Sequence, residues 1–232
     1  MDDRSVSVQV RCSVLGPLRV QVGDDLARLR PGHPERLLAL LLAAQGDFVS
    51  VDQLVDRLWD GQPPSAAVAT LHSHVRAVRG ALGPAGPIIA NQRGRGYRVR
   101  LAPADPDGAT LDLLDFRAHV GAARQLVQSD EIVAARAELQ AALACWHGPG
   151  ALPELADDLD ARSLVVELAS LREWAEQQAV DLVMRNGDPA TVVPELEAAL
   201  AREPTDQRTA AQLMRAYASS GRPERASAVY GE

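Results

Sequence analysis

Pro63-Pro64-Ser65 opens a stretch that runs through Ala66–Leu82 without an internal proline and closes on Arg93-Gly94-Arg95-Gly96-Tyr97-Arg98-Val99-Arg100. In its first part Val68, Leu71, Val75, Val78 and Leu82 recur at steps of three and four, which predicts a helix over Ala66–Leu82 with one apolar stripe. Opposite that stripe stand Ala66, Ala69, Thr70, Ser73, Ala77 and Gly80, all small. A helix face turned only to water usually carries long charged side chains. This bare face therefore predicts close approach to another surface, with Arg76 at its edge and His72 and Arg79 flanking it. The second part predicts a β-hairpin. Ile88-Ile89-Ala90 leads up, Gly94 and Gly96 permit a tight turn, and Tyr97, Val99 and Leu101 alternate with Arg98 and Arg100 on the way down.

A bare helix followed by an arginine-tipped hairpin is how a winged helix grips DNA. The helix enters the major groove, about 12 Å wide, and the wing touches backbone or the adjacent minor groove. Residues 6–101 resemble the OmpR-type winged-helix domain. The resemblance rests on Leu37-Leu38-Ala39-Leu40-Leu41-Leu42, Val49-Ser50-Val51-Asp52-Gln53-Leu54, Leu58-Trp59, His74-Val75-Arg76-Ala77-Val78-Arg79-Gly80-Ala81-Leu82 and Arg93-Gly94-Arg95-Gly96-Tyr97-Arg98. In that family the helix matching Ala66–Leu82 is the recognition helix and the arginine hairpin is the wing. The resemblance implies double-stranded DNA as the ligand, contacted by Thr70, His72, Ser73, Arg76, Arg79, Arg93, Arg95 and Arg98. Arg76 is expected at a base edge, and Arg79, Arg93, Arg95 and Arg98 at phosphate or in the minor groove. The plain alternative for Arg95 and Arg98 is a pair of solvated charges on a turn.

A formal net charge of -7 looks wrong for such a ligand until it is divided. Residues 1–104 hold 13 Arg against 9 acidic residues, a balance of +4, and residues 105–232 hold 11 Arg against 22, a balance of -11. Between Gly61 and Ala104 there are six Arg and no acidic residue, and that local field is what a polyanion meets. All 24 basic residues are Arg; a GC-rich genome accounts for that better than function does. The length accommodates two modest domains. No apolar run approaches the roughly 18 residues of a membrane span, and Met1-Asp2-Asp3-Arg4 lacks the basic start of a secretion signal, so no membrane partner and a cytoplasmic location are expected. Cys12 and Cys145 lack metal-site spacing and are expected to be ordinary, semi-buried thiols.

Ahead of the helices, Val6, Val8 and Val10 alternate with polar residues, Gly16-Pro17 turns, and Leu18, Val20 and Val22 alternate again, which predicts a short antiparallel sheet. Pro34 suits the first turn of a helix over Glu35–Gln45 that ends at Gly46, and Ser50-Val51-Asp52-Gln53 is a capping box opening another. Trp59 closes that helix; it fits either a core position or, as in the resembled family, a place near the DNA backbone. Ala102–Ala109, rich in Pro, Gly and Asp, is the one clear boundary. It divides the chain into 1–102, a linker at 103–110, and 111–232. Beyond it the pattern predicts helices only: Leu111–Gln128, Glu131–Trp146, Leu159–Arg185, Ala190–Ala201, Thr205–Ser219 and Pro223–Tyr230. Val183, Gly187, Val192, Leu196, Ala199 and Pro204 occupy the spacings of a tetratricopeptide helix pair. Tyr217, Gly221, Ala226 and Tyr230 repeat them 34 residues later, and a weaker copy uses Ser129, Ala134 and Ala141.

A winged helix followed by acidic helical repeats resembles the actinobacterial antibiotic regulatory protein (SARP) family, whose second half is the bacterial transcriptional activator domain. Asp112–Phe116, Ala142-Leu143-Ala144-Cys145-Trp146-His147-Gly148 and Gln212-Leu213-Met214-Arg215-Ala216-Tyr217 followed by Gly221-Arg222 carry that resemblance. It implies an α+β OmpR-type winged helix followed by an all-α, tetratricopeptide-like domain. It further implies an activator of antibiotic genes that binds direct repeats as a homodimer and recruits RNA polymerase through its sigma factor. The match stops at Tyr230-Gly231-Glu232, inside what should be the last helix, so a truncated C-terminus is expected. No Walker loop, Gly-x-Ser-x-Gly or His-Glu-x-x-His is present, and neither enzymatic activity nor a cofactor is expected. His72 and His74, two apart on a helix, point away from each other and make a poor metal pair. Asp157, Asp158 and Asp160 suit a solvated helix start better than a cation site. The competing reading is a helical-repeat scaffold or ligand sensor for which DNA is only a tether.

Overall fold

The computed structural model describes residues 9–105, 107–186, 188–202 and 204–230. Val6 and Val8 of the first alternating run, and Gly187 of the first repeat, lie outside them. The chain divides into two compact units, one of residues 1–118 with 144–170, the other of 119–143 with 171–232.

In the first unit, β1 (Val10–Ser13) pairs antiparallel with β2 (Arg19–Val22), which pairs with β3 (Asp25–Leu26). Val10, Cys12, Leu18 and Val20 are buried as the alternation expects, whereas Val22 is half-buried like its neighbour Gln21. A fourth strand, β6 (Thr110–Leu111), joins β1 in parallel and gives the order β3-β2-β1-β6. This corrects the expectation of helices only beyond the boundary. The chain returns beside itself at Leu101 and Ala109, burying Ala109 and Leu111, and a two-residue strand is too short for alternation to reveal.

Helix α1 (His33–Ala43) begins two residues earlier than its proline suggested, and every residue from Leu37 to Leu42 is fully buried. Helix α2 (Val51–Leu58) opens on the capping box: Ser50 Oγ accepts from Gln53 N at 3.2 Å, and Gln53 Oε1 accepts from Ser50 N at 3.0 Å. Helix α3 (Ala67–Ala81) buries Ala67, Leu71, Val75 and Val78, with Leu82 just beyond it. Val68, assigned above to the apolar stripe, is instead 48% exposed. A step of three residues turns about 300°, so Val68 falls at the edge, whereas Ala67, four residues before Leu71, comes back to within about 40° of it.

After a 3-10 turn over Gly83–Ile88, β4 (Ile89–Gln92) and β5 (Gly96–Val99) form the hairpin, paired from Ile89 with Val99 to Gln92 with Gly96. Tyr97, Val99 and Leu101 are buried, while Arg98 and Arg100 are half-buried. On its other edge Tyr97 exchanges two backbone hydrogen bonds with Val49, at 2.8 and 2.9 Å. That contact is why Gly96 must be glycine. A Cβ there would lie 2.0 Å from the Val49 carbonyl oxygen, at a φ of 101°.

Residues 144–170 complete this unit. His147 N donates to Leu15 O at 3.0 Å and Leu152 N to Val14 O at 2.8 Å, while Trp146 meets Phe116 edge-on at 5.5 Å. The Asp112 carboxylate, at the start of α4 (Asp112–Gln128), accepts from Val14 N and Leu15 N at 2.9 and 3.1 Å. Burial nonetheless holds its pKa above the ordinary range. Cys12 is wholly buried rather than semi-buried, and burial, with Asp112 adding to it, pushes its thiol up to about 12.

The second unit is helical: α5 (Ile132–Ala144), α6 (Leu159–Asn186), α7 (Val193–Arg202), α8 (Gln207–Ser219) and α9 (Pro223–Tyr230), with α4, α5 and α6 each divided between the units. Val180, Val183, Val192, Val193, Leu196, Leu213, Ala216 and Tyr217 form its core. The predicted helix Ala190–Ala201 splits into a 3-10 turn, Pro189–Val192, capped by Asp188, and α7. Gly221 turns α8 into α9 at a φ of 71°, as the repeat requires. The weak copy is out of register by one residue: Ala134 is exposed, and Ala135, Leu139 and Ala142 are the buried residues.

Candidate nucleic-acid interface

Helix α3 presents Ala66, Ala69, Ser73, Ala77 and Gly80 as an exposed face, with Thr70 half-buried beside it. The hydroxyls of Thr70 and Ser73 donate to the carbonyls four residues back, at 3.0 and 3.1 Å, so both lie against the helix rather than projecting from it. Arg76 is exposed. His72, also exposed, lies edge-on to Tyr97 of the hairpin at 6.4 Å, which fixes the distance from helix to wing.

The four remaining predicted contacts differ in how they are held. Arg79 is half-buried; its Nε and Nη2 donate to Ile89 O at 3.2 and 2.6 Å, tying α3 to β4 and leaving part of the guanidinium for a ligand. Arg95 and Arg98 stack on one ring, with guanidinium carbons 4.4 and 4.8 Å from the centre of Phe48. A cation over an aromatic face gains about 0.5–1 kcal/mol, so Phe48 orders the wing before any ligand arrives. Arg93, at the turn, is exposed. Among the described residues none of Arg76, Arg93, Arg95 and Arg98 is paired with a carboxylate. Phe48 escaped the sequence reading. Its signal was its place directly before Val49, the residue that pairs with Tyr97.

Behind this face α2 is fastened by charge. Arg57 Nε and Nη2 donate to the Asp158 carboxylate at 2.9 and 2.8 Å, and Arg36 lies 3.8 Å from the same group and 3.2 Å from Asp60. Asp158 also caps α6 by accepting from Ala161 N at 2.9 Å. Burial opposes its charge, but the hydrogen bonds from Arg57 and Ala161 and the nearby positive charges outweigh it, so the pKa lies below the ordinary carboxylate value. The acidic run read above as a solvated helix start is thus, at Asp158, a buried ion pair: the side chain is 3% exposed. His74 faces away from His72. It packs between His33, 5.5 Å away, and Trp59, 6.2 Å away, with Trp59 half-buried; burial and the neighbouring His33 lower the His74 pKa. Among the described residues no three His, Cys, Asp or Glu gather as a metal site would need. No described helix is long and apolar enough to cross a membrane.

The unit is therefore a cross-braced frame that carries a face of small residues and arginines drawn from a stretch without acidic residues. Comparison with known proteins agrees with both halves of the sequence reading. Residues 33–99 match the family described as "Transcriptional regulatory protein, C terminal", and residues 111–232 match the "Bacterial transcriptional activator domain". The chain is 33% identical over 230 residues to the regulatory protein AfsR of Streptomyces coelicolor, covering 96% of this chain and 22% of that protein. It is 30% identical over 231 residues to the transcriptional regulatory protein EmbR of Mycobacterium tuberculosis, covering 97% and 58%. With the regulatory protein DnrI of Streptomyces peucetius the identity is 27% over 226 residues, covering 94% and 80%. A solved structure of Mycobacterium tuberculosis EmbR in complex with a low-affinity phosphopeptide superposes with a TM-score of 0.81 at 28% identity, again over 97% and 58%. The chain spans 22% of AfsR and 58% of EmbR, the relatives it matches at 30% identity or more.

Proposed function

Because the chain belongs to the bacterial transcriptional activator domain family, with the SARP order of parts, we propose that it is a sequence-specific DNA-binding transcriptional activator. One observation carries this reading: α3 and the wing expose Arg76, Arg93 and Arg95, with Arg98 half-buried beside them, on a stretch without a single carboxylate, beside a helix face too bare to fill space with its own side chains. Helix α3 enters the major groove, with Arg76 forked onto a base edge and Thr70, His72 and Ser73 along the groove wall. Arg79, Arg93, Arg95 and Arg98 hold phosphate or the minor groove.

Residues 105–232, at -11, are repelled by DNA phosphate and face RNA polymerase and its sigma factor or a second copy of the chain. Two protomers bind tandem sites near one helical turn apart, upstream of secondary-metabolite genes and in the cytoplasm. The chain works without catalysing a reaction. Transcription from a promoter carrying a selected tandem site, with the intact chain and with Arg76→Ala, tests this. Activation that depends on Arg76 supports it; activation unaffected by Arg76→Ala would contradict the placement of α3, and binding to the site without activation would leave the helical repeats as a scaffold or sensor.

A further inference from the structure

Between α3 and β4 lies an open hollow of about 780 Å³, walled among others by Arg76, Arg79, Gly80, Gly83, Asn91 and Arg100. Its wall holds three guanidinium groups and an amide and no carboxylate. At Gly80 and Gly83 a Cβ would meet nothing within 4 Å, so bare backbone opens onto the space. Asn91 is exposed. Arg100 is restrained from one side: its Nη1 lies 3.5 Å from Asp105 Oδ2, and its buried Nε has no hydrogen-bond partner among the described residues. Asp105 is itself held in its loop, where Oδ1 accepts from Asp107 N at 3.1 Å.

This inference rests on the DNA-binding reading above. A helix in one groove and a wing in the next leave one sugar–phosphate strand to run between them, and the hollow opens between α3 and the first strand of the hairpin. We propose that Arg100 seats one phosphodiester of that strand, and that Asp105 holds Arg100 in the free protein and gives it up to the phosphate. The guanidinium fork matches two phosphate oxygens. Exchange of one anion for another keeps the half-buried arginine neutralised throughout.

The test uses the intact chain on a duplex selected from random sequence. Arg100→Gln should weaken binding roughly tenfold, on cognate and unrelated duplexes alike. It should also reduce the salt slope by about one. Arg100→Lys, which keeps the charge, should restore the slope. Asp105→Asn should tighten binding, and that gain should vanish when Arg100→Gln is added. A single uncharged methylphosphonate at one position should weaken the wild type as Arg100→Gln does and add nothing to that variant. An unchanged slope in Arg100→Gln, a gain from Asp105→Asn that survives in the double variant, or the lack of any such phosphate position would overturn the proposal. The DNA-binding reading has its own control in Arg76→Ala: if that variant loses affinity while Arg100 and Asp105 are silent, only the seat falls.

Discussion

The arginines of α1 and α2 and those of α3 and the wing are one residue type in opposite circumstances. Arg36 and Arg57 have side chains 17% and 18% exposed, and each lies within 4 Å of a carboxylate brought from elsewhere in the sequence. Arg76 and Arg93 stand exposed, and Arg95 and Arg98 rest on an aromatic ring, all without a carboxylate partner among the described residues. A cation that the fold neutralises is part of the frame. A cation that the fold orders but leaves unneutralised is available for an anion from outside. The difference assigns stability to the first group and binding to the second, and each assignment can be broken separately.

The largest expected effect is on the paired side. Asp158→Asn leaves the half-buried Arg57 opposite a neutral amide, with only the exposed Asp160 3.8 Å away, and should cost about 3 kcal/mol of stability in chemical denaturation. Replacing the pair together, with Arg57→Met and Asp158→Leu, should recover much of that loss. Equal losses for the single and double variants would show that the charge is not what matters at this site.

Next comes Arg76→Ala, expected to cost roughly 1–3 kcal/mol of binding to a selected site and to relax preference there. Its effect on stability should stay within about 0.5 kcal/mol, since the side chain is exposed. A variant that loses stability and binding together would erase the distinction between the two groups.

The two groups also differ in how plainly the sequence announced them. Helix α3, the hairpin and the capping box at Ser50 were legible because each is a local pattern: a period, a turn or a three-residue spacing. Arg57 with Asp158 is 101 residues apart, and Asp112 with Val14 is 98, so no local pattern could reveal either. The acidic run at Asp157–Asp160 looked like a polar helix start, and Asp158 does cap α6; its burial against Arg57 depends on where the fold returns it. Val68 shows the same limit on a smaller scale, since a step of three residues placed it in the stripe and the helical turn left it at the edge.

Acid should separate the groups further. The Asp158 pKa is depressed in the folded state, so its contribution is present above the unfolded carboxylate value of about 3.9 and is lost as pH falls from there through the folded value. The stability gap between the wild type and Asp158→Asn should therefore hold near neutrality and close below about pH 4. A gap that stays constant to lower pH would remove the ion pair as its cause.

The smallest effect is at the wing. Arg95→Ala should weaken binding to all duplexes evenly and reduce the salt slope by about one, with sequence preference unchanged. A change in preference there would move Arg95 from backbone to base contact.

Selection of bound duplexes from a random library, run in parallel with the intact wild-type chain and with Arg76→Ala, reaches the centre of this division most directly. The expected result is a defined motif for the wild type and loss of preference at one or two of its positions in the variant, at matched thermal stability. The same motif from both proteins, with equal preference at every position, would contradict the placement of α3 in the major groove.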